Sequence, residues 1–165
     1  MSLVLFETYE KKLQRCLTDA RGYHQRAMQF ATDGERVSLV FNIAAVAIEA
    51  YLIALCARHQ IMPFNHDYGS LVTAAEEAVA FTPELKEAIL SLDGIFGICS
   101  LENYHHGTPL QIDADRTLTI CNALAQMFEP PGTTDGQGRL IGQAYRHDRP
   151  SQSPSPSMGE GLGRG

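Results

Sequence analysis

Apolar residues near the start of the chain recur at helical steps. Phe6, Leu13, Leu17, Ala20, His24 and Ala27 lie three, four or seven residues apart, which places them on one face of a helix over about Leu3 to Phe30. Glu10, Lys11, Lys12, Arg15 and Asp19 fill the other face, and Thr32-Asp33-Gly34 is a turn signal that ends it. The second segment, Glu35 to about Gln60, is apolar on almost every side, the pattern of a helix at the centre of a bundle. Its polar residues form one seam: Ser38, Asn42, Glu49 and Cys56 follow each other at steps of four, seven and seven. Pro63 is expected to end the segment. Asp67 then caps a third helix over about Tyr68 to Ala80, and Thr82-Pro83-Glu84 opens a fourth, with Leu85, Ile89, Leu92 and Phe96 as its stripe. After the Gly107-Thr108-Pro109 turn, Asp113 is the expected cap of a fifth helix bearing Leu118, Cys121, Ala125 and Phe128 on one face. No alternating run of β-branched residues suggests a strand.

The pattern predicts an all-α, up-and-down bundle of about five helices over residues 1–129. Composition changes at Pro130. Residues 130–165 are rich in Pro, Ser and Gly, with little to bury, and are expected to be a disordered tail. Val37 to Ala57 is long and apolar enough to span a bilayer, but Glu49 lies near its middle, where a carboxylate costs about 2.5–3.5 kcal/mol on insertion. A buried core helix is the expectation, with no membrane partner. No secretory leader is legible in the opening residues.

Charge narrows the function classes. Residues 1–129 carry nine basic and sixteen acidic residues, a net −7, and residues 130–165 carry four and three, a net +1. Such a domain lacks the broad basic footprint of a nucleic-acid binder, although a small local site remains open. Cys16, Cys56, Cys99 and Cys121 are widely spaced within apolar patterns, which predicts buried reduced thiols and a cytoplasmic setting. Cys56-x-x-His59 lies at a helical spacing, but the paired spacings of a metal site are missing, so no metal is expected. No phosphate-loop, dinucleotide or nucleophile-elbow motif is present, and no cofactor is expected.

Two local patterns carry a family resemblance. One is the Ala-rich helix Ala44-Ala45-Val46-Ala47-Ile48-Glu49-Ala50-Tyr51-Leu52, followed by a proline loop and by His66-Asp67 opening the next helix. The other is Glu102-Asn103-Tyr104-His105-His106-Gly107, before the last helix. Together with the order of elements, these make residues 1–129 resemble HEPN domains. The resemblance implies a helical bundle, usually dimeric. In many members it also implies metal-independent ribonuclease activity, often in toxin–antitoxin pairs, with an Arg separated from a catalytic His by four to six intervening residues. The His would move protons and the Arg would hold the phosphorane charge. In this chain the positions that should hold the Arg are Ile98, Cys99, Ser100 and Leu101, and Glu102 follows. The resemblance therefore implies the fold and a homodimeric binding or interaction protein, with an antitoxin, a nucleotidyltransferase, a nucleotide or RNA as partner. A ribonuclease using His105 or His106 is the alternative, and a structural protein without ligand is the third possibility. The candidate ligand-contacting residues are Asn103, His105, His106, Glu49 and His66, whereas His24, on an apolar stripe, reads as a core histidine.

Overall fold

The computed structural model describes residues 7–95 and 107–129. Contacts divide the chain into 1–129 and 130–165, and only residues of the first unit are described. Among the described residues the architecture is all-α. Its helices are α1 (Tyr9–Thr32), α2 (Val37–Arg58), α3 (Tyr68–Ala75), α4 (Pro83–Leu90) and α5 (Gln111–Gln126), and α4 tightens into a 3-10 turn over Ser91–Gly94.

The helix α2 is the axis of the bundle. Thirteen of its residues are buried, including Phe41, Ile48, Tyr51, Leu52 and Leu55. It passes the length and hydropathy test for a membrane span, yet 67% of its most apolar window is buried inside the protein. The buried face of α1 is Cys16, Ala20, His24 and Ala27, mostly small side chains that let the two long helices approach closely. Ala114, Thr117, Ile120, Cys121 and Leu124 of α5 close a second side, and Tyr68, Leu71 and Val72 of α3 close a third.

Both long helices end in the same hydrogen-bond motif. At the end of α1, Gly34 has φ 72°, Glu35 N donates to Phe30 O at 2.9 Å and Gly34 N donates to Ala31 O at 3.3 Å. At the end of α2, Ile61 N donates to Cys56 O at 2.9 Å and Gln60 N donates to Ala57 O at 3.1 Å. The residue in the left-handed position there is Gln60, φ 58°. Glycine is the usual occupant because a Cβ is crowded in that conformation. So α2 stops at Arg58, before the proline credited in the sequence. Arg58 turns back to donate to Met127 O at 3.1 Å, which satisfies a carbonyl at the end of α5.

Three boundaries differ from expectation. Helix α1 starts at Tyr9, where the Thr8 hydroxyl accepts from Lys11 N at 3.3 Å. Helix α3 stops at Ala75, because Glu76 and Glu77 then place two carboxylates at its negative end with no basic residue in the last turn. Asp113 is not the cap of α5: the helix begins at Gln111, and the Asp113 carboxylate reaches back to accept from Leu110 N at 2.8 Å. That is the acidic half of a capping box, without the hydroxyl half.

Ile48 and Leu52 are wholly buried, so truncating either to Ala is expected to cost about 2–5 kcal/mol in a denaturant titration. At the left-handed position, Gln60→Gly is expected to raise stability by about 0.5–1 kcal/mol in the same measurement. A loss there would show that the Gln60 side chain holds the turn.

Candidate functional site

The end of α2 aims the following loop back along the bundle. Pro63 is buried, the Asn65 side chain accepts from His66 N at 2.8 Å, and Asp67 caps α3. His66 is thereby laid against α2, with its Nδ1 3.4 Å from Glu49 Oε1. The structure thus brings together two residues singled out in the sequence. The His66 side chain is 50% exposed and that of Glu49 29%, so the pair is open to water and contributes less than about 1 kcal/mol.

The rest of the polar seam does not form one surface. Ser38 and Asn42 are exposed, whereas Cys56 is buried and its Sγ lies 3.9 Å from Leu71 O. Asn103, His105 and His106, together with Cys99 and Phe96, lie outside the described residues. Of the described residues on either side, Gly107 N donates to Ile95 O at 2.8 Å.

Sequence reasoning missed the most exposed residues of the site. Phe64 is fully exposed and Met62 is 66% exposed. They stand beside α3 and wall a cleft of about 430 Å³ whose other side includes Ser70, Thr73 and Glu77. The available signal was an apolar run, Ile61 to Phe64, sitting between helices and out of phase with either. Asp93 was missed too. Burial pushes its carboxyl above the usual range and the nearby Asp67 adds to this, while the Tyr68 and Gly69 amides partly offset it. Asp67 itself is shifted the other way: desolvation is outweighed by hydrogen bonds from Ser70 N at 2.7 Å and Ser70 Oγ at 2.8 Å. Two carboxyl groups therefore gather at the start of α3.

The described thiols and several of the described cations are engaged within the fold. Cys16, Cys56 and Cys121 are buried and unbridged, and burial raises all three thiols, Cys121 to about 12. None is a ready thiolate. Several basic side chains are committed to neighbours: Arg15 to Glu7, Arg21 to Glu129, Lys86 to Glu76, and Arg58 to the end of α5. Among the described residues, no three His, Cys, Asp or Glu side chains are grouped to hold a metal.

His24 is the buried core histidine that its stripe suggests. Its Nδ1 lies 3.2 Å from the Tyr51 hydroxyl, the rings meet edge to face, and Nε2 is buried without a hydrogen-bond partner among the described residues. Burial lowers the pKa of the imidazole, with the Asn122 side chain partly opposing, and burial raises Tyr51 to about 12.

Comparison with protein-family models, curated proteins and solved structures finds no match to this chain.

Because the folded pKa of His24 lies below its unfolded value near 6.5, unfolding takes up a proton as the medium turns acid. The stability linked to neutral His24 is complete above pH 6.5 and is lost as pH falls below it toward the depressed folded value. His24→Gln is expected to flatten the fall in stability between about pH 7 and pH 5. Equal pH slopes for variant and parent in chemical denaturation would place the acid sensitivity elsewhere.

Proposed function

We propose that this chain is a HEPN-like helical binding protein without nuclease activity, part of a bacterial toxin–antitoxin or nucleotide-linked defence module. The observation that carries the binding reading is the 59–67 loop. It holds Phe64 and Met62 in solvent, two and four residues before the His66 that meets Glu49, while its own ends are tied down by the α2 terminus and the Asp67 cap. An aromatic and a methionine on a pinned loop, rimmed by polar groups, is the composition of a protein-binding patch. Exposing both costs hydration free energy that a partner would recover. The net −7 of residues 1–129 disfavours extended contact with RNA, so a protein such as an antitoxin or a nucleotidyltransferase is the preferred partner over nucleic acid. Leu39, Ile43, Val46 and Ala50 on α2 are only half-buried and form a stripe on which a second copy of the chain could pack as a homodimer.

Absence of nuclease activity rests on charge. In-line attack on a phosphodiester builds negative charge that a cation must hold, and the motif window ending in Glu102 supplies none.

The test has two arms. A photoreactive side chain at position 64 is expected to give a discrete crosslinked species in the producing cell, while the same group at exposed Gln25 gives none. Purified protein is expected to leave RNA intact in chelator. RNA cleavage abolished by His105→Ala or His106→Ala would establish the ribonuclease alternative, and silence at position 64 would remove the binding surface.

A further inference from the structure

We propose that the cleft between Phe64 and α3 receives a basic side chain, Arg or Lys, carried on an apolar segment of a partner protein. The inference deepens the binding reading and rests on it.

The shape comes from residue size. Gly69, Ser70 and Thr73, all small, lie on α3, and Glu77 follows in the turn beyond its end, so the side of the cleft facing the loop is low. A Cβ on Gly69 would come within 3.3 Å of Asp67 Oδ1, so the absence of a side chain there keeps the rim close to that carboxylate. Phe64 and Met62 supply the opposite, apolar wall.

The charge selects the occupant. Two carboxylates, Asp67 and Glu77, border the cleft, and among the described residues no basic side chain lines it. The two acids differ in what they have to spare. Both Asp67 oxygens already accept from Ser70, so its charge is present but partly engaged. The Glu77 carboxylate has no hydrogen-bond or ion-pair partner among the described residues, whereas its neighbour Glu76 holds Lys86 at 2.8 and 2.7 Å. Asp93, beside Asp67, adds to the local negative field. A carboxylate without a partner among the described residues and an exposed aromatic ring lining the same cleft suit a long cationic side chain. Its methylene stem would lie along Met62 and its charge would sit between Phe64 and Glu77. An acidic peptide, a phosphate group or an anionic lipid surface meets repulsion at the same place.

The probes are two end-blocked pentapeptides, one alternating leucine and arginine and the other alternating leucine and glutamate. Each is titrated into the full-length isotope-labelled protein. The arginine peptide is expected to move amide resonances within Met62–Glu77, and the glutamate peptide is expected to move none there. Glu77→Lys and Phe64→Ala, both at exposed positions that leave the core intact, are each expected to weaken binding about tenfold or more, and Gln25→Ala to leave it unchanged. Raising salt from 0.05 to 0.5 M, chosen to screen the charges, is expected to weaken the parent and to have little effect on Glu77→Lys. Equal response to both peptides, shifts outside the cleft, or no shift at all would overturn the cationic assignment. If position 64 still crosslinks to a partner in that event, the surface stands and only its chemistry is wrong. If position 64 is also silent, both fall together.

Discussion

A helix that is apolar on nearly every side must be surrounded, and α2 imposes this on the rest of the chain. A stripe of half-buried residues on α2 is what remains once α1, α3 and α5 have taken their sides. The alanines of α2 make close packing possible and also leave backbone carbonyls within reach of neighbouring side chains. Ala44 O lies 3.4 Å from Cys121 Sγ of α5, and Ala45 O accepts from the Tyr68 hydroxyl of α3 at 3.0 Å. Two helices on different sides are thus held to adjacent residues of the third. Both alanines are buried, so a larger side chain at either would push the neighbouring helix away and lengthen these contacts, and the two positions set register in addition to volume.

Much of this was legible in the pattern of the chain, because burial periodicity and caps are local signals. The α1 face, the central helix, and the Asp67 and Thr82 caps all read directly. The errors came where a local rule had a competitor. Asp113 has the composition of a cap but works from the third position, since backbone geometry at Leu110 let the helix start earlier. The end of α2 was credited to Pro63, whereas the chain reverses at Gln60, a residue whose left-handed conformation no composition rule foresees.

The candidate site was half legible for the same reason. Glu49 stands out as an acid on an apolar helix and His66 as a titratable group next to a cap, and their meeting needs only the loop length between them. The cleft needs more. It depends on which way Phe64 projects and on which flank of α3 is left bare, both tertiary facts. Glu77 looks in sequence like any surface acid. Its distinction is that Lys86 reached Glu76 and not Glu77, so of two adjacent carboxylates one is neutralised within the domain and the other is left for an outside charge.

The hydrogen bond from Gly107 N to Ile95 O ties the two ends of the intervening eleven residues into a single knot on the scaffold. The approach to α5 after α4 is therefore anchored by backbone atoms of two described residues. Closing a longer excursion is cheap, since each doubling of length adds only about 0.6 kcal/mol of closure entropy. An insertion between these two residues would therefore add little to the entropy cost of forming that bond. Because donor and acceptor both belong to the backbone, a side-chain substitution at Ile95 or Gly107 leaves the tie available, and the meeting of the turn after α4 with the approach to α5 depends on the path of the main chain more than on the identity of these two residues.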